Sequence, residues 1–274
     1  MHLRKLVLLA LVAMLVVPTA AHAKRRSVAP NWAPAESASI QPGVQTFTDG
    51  SGQCTANFVF SDSVGDVYIG QAAHCAGTGE ATDTNGCDAG SLPLGTQVEV
   101  DGASLPGTIV YSSWLTMQAN DEQDVNACRF NDFALIKLDP ADRGAVNPSV
   151  PVFGGPVSLG AATDLGDKVY SYGNSGLRFG LSPTSPKEGY SVGQNGGGWN
   201  HTVYTASPGI PGDSGSAFLS ADGAALGTLS TVAFLPFPAS NGVSDLSREV
   251  AYMQQFGGFS GIQLALGTEP FTGG

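Results

Sequence analysis

The chain has 274 residues, a formal net charge of −11, only 13% charged residues and 37 glycines. An acid excess of that size argues against nucleic acid or an anionic membrane as the partner, since both repel it. Few charges and many glycines fit short strands joined by turns better than long surface helices.

The sequence opens Met1-His2-Leu3-Arg4-Lys5, runs apolar from Leu6 to Val17 and reaches Ala21-His22-Ala23. A basic start, an apolar middle and a small-residue end predict a secretory signal peptide over residues 1–23. The apolar run is short for a bilayer span, and no later segment is long and apolar enough to cross one. A secreted protein, free of the membrane after signal removal, is therefore expected. Residues 24–39 are rich in Ala, Pro and Ser and read as a linker or short pro-segment.

Strand-like runs follow at Thr55–Phe60, Val67–Gly70, Gln97–Val100, Thr108–Tyr111 and Phe133–Leu138. β-Branched and aromatic segments punctuated by turns predict a sandwich or barrel. The stretch from Ala141 to Asp164, heavy in Pro, Gly and small residues, reads as a join between two lobes. Strands resume at Lys168–Tyr172, Thr202–Thr205, Ser216–Leu219 and Ala225–Ser230, with Gly193–Gly198 as a flexible loop. The one strong helix pattern is Leu246–Phe256, with Asp245 as its cap. Asn200-His201-Thr202 matches a glycosylation sequon.

The cysteines are Cys54, Cys75, Cys87 and Cys128. In an exported chain an even count predicts two disulfides, in any of three pairings. No Cys-x-x-Cys pair exists and only two histidines follow the signal segment, so a zinc site is not expected, and the sequence carries no sign of another metal or an organic cofactor.

Chemistry is concentrated in the stretch from Pro208 to Ala217, where Ser214 stands between glycines and leads into an apolar run. Such a loop suits a nucleophile whose neighbouring N–H groups receive charge developing on a substrate oxygen; its ordinary reading is a turn. His74 lies among small residues beside Cys75, and alone reads as a structural histidine. His201 reads as a surface histidine. Asp132 precedes an apolar strand, where a partly buried carboxylate needs a donor.

Taken together, Ala72-Ala73-His74-Cys75, the segment from Asp132 to Leu138, and Gly212-Asp213-Ser214-Gly215 resemble the three signature segments of the chymotrypsin-like (trypsin-like) serine proteases. They follow that family's order of His, Asp and Ser. The resemblance runs from about Val44 to Gln255. It implies an all-β fold of two six-stranded antiparallel Greek-key barrels with a C-terminal helix: a first barrel over 40–145, a connection over 146–165, a second barrel over 166–244, and the helix and tail over 245–274. It implies a catalytic triad of His74, Asp132 and Ser214, an oxyanion hole from the amides of Gly212 and Ser214, and peptide or protein substrates of a monomer. It also implies the disulfides Cys54–Cys75 and Cys87–Cys128, both in the first barrel.

The chain departs from the family in two places. No Ile/Val-Val-Gly-Gly start exists, so Asp213, the acid before the nucleophile, is expected to pair with an internal arginine or lysine, with both types open. In the substrate pocket, Pro208 stands where trypsins have an aspartate. Gly242 and Ser230 resemble pocket residues of the family, but Thr231-Val232 replaces the usual Trp-Gly. A preference for small or apolar side chains is expected. The alternatives are an esterase with the same triad, and an inactive homologue acting as a binding module, which the intact His, Asp and Ser set argues against.

Overall fold

The computed structural model describes residues 30–80, 83–160, 162–233 and 240–273. The predicted signal segment, the first part of the predicted linker and part of the segment after Val232 lie outside these residues. No helix among the described residues is long and apolar enough to cross a membrane.

In chain order the first lobe contains β1 (Gln45–Thr48), β2 (Gln53–Thr55), β3 (Val59–Ser61), β4 (Val67–Gln71), β5 (Gln97–Val100) and β6 (Gly107–Ser112). Two short helices follow, α1 (Ser113–Ala119) and α2 (Val125–Phe130), and then β7 (Ala134–Lys137). The second lobe contains β8 (Lys168–Tyr172), β9 (Pro186–Asn195), β10 (Asn200–Thr205), β11 (Ala217–Ser220), β12 (Ala225–Ala233) and β13 (Ser240–Asp245). Helix α3 (Leu246–Phe256) and β14 (Gln263–Leu264) end the chain.

The second lobe is a closed six-stranded antiparallel barrel in the order β10-β13-β12-β11-β8-β9, as expected. The first lobe differs in detail from a closed six-stranded barrel. Among the described residues its strands form an eight-stranded sheet ordered β14-β3-β4-β7-β6-β5-β1-β2. Two physical causes account for this. The run Thr55–Phe60 breaks into β2 and β3, because the Asn57 side chain turns back to accept from the Phe58 amide. The chain beyond α3 then returns to cover the edge of β3, pairing Leu264 with Phe60, which removes an exposed edge.

Strand β4 is buried at all five positions, so it shows no alternation, and the Gln71 side chain at its end is satisfied by Thr46 and Thr48. One core cluster crosses the lobes, joining Phe58, Phe60 and Phe133 to Tyr170 and Leu219 and to Leu246, Val250 and Met253 of α3. Asp245 caps α3 through Oδ1, which accepts from the Arg248 amide at 3.0 Å. Leu246, Val250 and Met253 of α3 are buried, while Phe256 at its end is 42% exposed.

The inter-lobe stretch is packed, with Val150 and Phe153 in that same core. The end of the predicted linker lies against it. Ala33 donates to Val146 O (2.9 Å) and Ile40 to Ala145 O (3.1 Å). The predicted glycine-rich loop is mostly structured: Gly193 to Asn195 belong to β9, and Gly196–Gly198 form a 3-10 turn.

Candidate active site

His74 sits on a 3-10 turn, Ala73–Ala76, immediately after β4. The Cys54–Cys75 disulfide ties that turn to β2, and Cys87–Cys128 lies nearby in the same lobe. Asp132 stands just before β7, which pairs directly with β4. The strand pairing therefore brings the two side chains together. His74 Nδ1 lies 2.6 Å from Asp132 Oδ2, and the His74 amide donates to Oδ1 at 2.8 Å. Ser230, from β12 of the other lobe, donates its hydroxyl to Oδ2 at 2.6 Å.

Asp132 is buried, while the His74 side chain is 27% exposed. Burial acts to raise the Asp132 pKa, but His74 and the donated hydrogen bonds hold it below the usual carboxylate value. Burial likewise acts to lower the His74 pKa, and the Asp132 charge outweighs it and holds it above the ordinary histidine value. An ionised aspartate only accepts, so the proton of neutral His74 resides on Nδ1 and the Nε2 lone pair is left for the cleft.

The Ser214 loop is set by glycine. Gly212 has φ +94, and a Cβ there would lie 2.3 Å from Gln53 Oε1, so both the backbone and the space demand glycine. Gln53 Nε2 and Thr55 Oγ1 donate to Gly212 O at 3.0 and 2.7 Å. Ser175 Oγ donates to Pro211 O at 2.5 Å. In a trans peptide the N–H points opposite the C=O, so this bond turns the Gly212 N–H away from Ser175. The amides of Gly212 and Ser214 donate to no protein acceptor among the described residues. Two half-buried residues whose N–H groups are left open on a loop are a ready site for an anionic oxygen.

His74, Asp132, Gly212 and Ser214 line one cleft of about 1120 Å³, together with Ser230, Thr231 and Gly242. That exceeds the roughly 300–1,000 Å³ of a small-ligand pocket. No hydrogen bond joins the Ser214 hydroxyl to His74 among the described residues. Pro208 is not in the lining; its carbonyl accepts from Lys187 Nζ at 3.2 Å. Gly209 and Ile210 take its place.

Asp213 pairs with both cation types left open by the sequence. Its Oδ2 accepts from Arg178 at 2.5 Å and from Lys187 at 2.6 Å, and all three side chains are buried. Burial opposes the charge of Asp213, but the two cations hold its pKa below the ordinary value. For Lys187 burial wins over Asp213 and lowers its pKa.

His201 is not a surface residue. It is fully buried in β10, between Thr163 Oγ1 (2.8 Å) and Asp245 Oδ2 (3.0 Å). The glycine run is not the edge of the fold, because the strand behind it closes the barrel. Asn200 is buried too and donates to Asn195 Oδ1 at 3.0 Å, so the sequon is not an accessible acceptor in the folded protein. Gln53, Thr55 and Ser175 were not legible beforehand. Their partners are 36–159 residues away in sequence, and no local pattern marks them.

The fold is that of the chymotrypsin-like serine proteases. Two solved structures of such proteases show the likeness. Thermobifida fusca protease A is 16% identical, with a TM-score of 0.51 over 83% of this chain and 99% of its own. A glutamic-acid-specific serine protease that uses a histidine triad in substrate binding is 18% identical, with a TM-score of 0.51 over 82% of this chain and 100% of its own. No family model matches the sequence, and no curated protein does.

Proposed function

We propose that the protein is a secreted serine endopeptidase that cleaves peptide bonds through an acyl-enzyme on Ser214. One observation carries the reading: His74, backed by buried Asp132, shares a cleft with the Ser214 hydroxyl and two uncommitted amides. In the proposed reaction Ser214 Oγ attacks the carbonyl carbon as His74 Nε2 takes its proton. Asp132 stabilises the imidazolium, and the Gly212 and Ser214 amides receive the oxyanion. His74 then protonates the leaving amine, and water releases the acyl group by the same steps.

The pocket beside Ser214 favours uncharged side chains. Thr231, Asn241, Gly242, Gly209 and Ile210 carry no charge there. Asn241 is already committed, accepting from the Gly209 amide at 2.8 Å and donating to Thr205 Oγ1 at 3.1 Å. A histidine triad for glutamate is out of reach. Only His74 and His201 follow residue 29, and His201 is buried between Thr163 and Asp245.

The test is a mixed peptide library offered to the protein and to Ser214→Ala, read by mass spectrometry. Cleavage after uncharged residues by the parent alone is expected. Equal cleavage by both, or by neither, would refute the reading.

A further inference from the structure

Behind the site lies a carboxyl group with no role in the reaction as described. Glu249 belongs to α3 and has 0% exposure. Its Oε1 accepts the Asp132 main-chain N–H at 3.0 Å. Its Oε2 lies 3.2 Å from Thr228 Oγ1, and Thr228 is in turn reached by Asn57 Nδ2 at 3.3 Å. Sequence pattern gives no hint of this, since a glutamate in the first turn of a helix reads as a solvent-facing residue favoured by the helix dipole.

We propose, building on the catalytic reading above, that Glu249 is a positioning residue, whose carboxyl group grips the main chain of Asp132 from behind and sets the depth of the aspartate beneath His74. The grip acts where it matters most. The Asp132 carboxylate is fixed on its far side by the His74 amide and Ser230, and the Glu249 contact is the one that anchors its backbone nitrogen. A side chain misplaced by an ångström in such a site costs up to about 100-fold in rate.

The group acts uncharged. Its direct partners are an amide and a hydroxyl, with no cation among them. The ionisable groups facing it are Asp132 at the start of β7, Asp245 at the head of α3 and Tyr111 on β6. The two aspartates repel a second charge, and burial, the largest effect, pushes the Glu249 pKa well above the ordinary value. A neutral Glu249 has one oxygen to accept from Asp132 N–H, and Thr228 Oγ1, which is the donor to Oε2 in the structure, then turns to accept its O–H. It therefore supports the aspartate without competing with it for the charge of His74.

The substitutions Glu249→Gln and Glu249→Leu separate the grip from mere filling of space. Glutamine keeps an acceptor for Asp132 N–H and a donor for Thr228, and should leave kcat and the His74 titration midpoint, followed by NMR of its ring proton, at the parent values. Leucine should lower kcat by about 10–100-fold with KM nearly unchanged. A leucine variant with the parent kcat overturns the proposal. So does a fall in the His74 midpoint in Glu249→Gln, because it would mean that a negative charge had been removed. If the leucine variant does not fold, Thr228→Val, which frees only Oε2, is expected to lower kcat to a smaller extent, and a parent-like kcat overturns the proposal. The NMR titration needs no turnover. Absence of any Ser214-dependent hydrolysis in the parent would refute the reaction while leaving the charge state of Glu249 to be read.

Discussion

Ser175 Oγ donates to the carbonyl oxygen of Pro211 at 2.5 Å. The bond fixes the plane of the 211–212 peptide and hence the direction of the Gly212 N–H. Ser175 is itself anchored, because its amide donates to Asp213 Oδ1 at 3.0 Å. The loop that carries Ser214 is thus held from beneath by the same cluster that buries Asp213. Replacing Ser175 by Ala frees the peptide to rotate. The expected result is a fall in kcat approaching the roughly 10²–10³-fold of a lost oxyanion donor, with a much smaller change in KM. Steady-state kinetics on a peptide amide substrate check it.

The Asp213 cluster predicts a stability effect. Asp213→Asn leaves Arg178 and Lys187 buried without their counter-charge, which is expected to cost about 3–5 kcal/mol. Urea unfolding at neutral pH measures it. The sign of the pH dependence follows from the lowered Asp213 pKa. Its contribution is complete above the unfolded carboxylate pKa and is lost as pH falls through the folded one. The parent should therefore lose stability on the acid side over a range where the asparagine variant loses less.

Activity should follow the protonation of His74. Its pKa is raised, and the protonated ring takes no proton from Ser214. The profile of kcat/KM against pH should fall on the acid side, with a midpoint above the ordinary histidine value. Asp132→Asn removes the charge that raises it, so the midpoint should move down. The rate should also drop by about 10⁴-fold, the size of that change in a Ser-His-Asp site.

Much of this was legible in the sequence because it is local. Asp132 precedes an apolar run, His74 adjoins Cys75, and Ser214 lies in a glycine turn; strand pairing between β4 and β7 does the rest. The helix Leu246–Phe256 and its Asp245 cap were legible for the same reason. What failed depended on distant partners. His201 looked exposed because its burial depends on Thr163 and Asp245, 38 and 44 residues away. The short helices α1 and α2 were hidden because each has fewer than eight residues and only part of a face to bury. The substrate pocket was half legible. Thr231 and Gly242 line the cleft, while Pro208 turns its carbonyl toward Lys187.

The Cys54–Cys75 bond closes a loop with a sequence separation of 21 and holds the turn that bears His74. Substituting both cysteines by serine is expected to cost about 3 kcal/mol through the unfolded chain. The activity remaining in the folded fraction should fall as well, because the turn loses its tie to β2. Thermal unfolding and active-site titration on the same sample separate the two effects.

The central claim is that Ser214 is a nucleophile activated by His74. Intact-protein mass spectrometry of an acid-quenched reaction with an activated ester tests it most directly. One acyl group should accumulate on Ser214, located by peptide mapping, and none should form in Ser214→Ala or in His74→Ala at neutral pH. An acyl group elsewhere on the protein, or an unmodified Ser214 while the ester is consumed, would contradict the account.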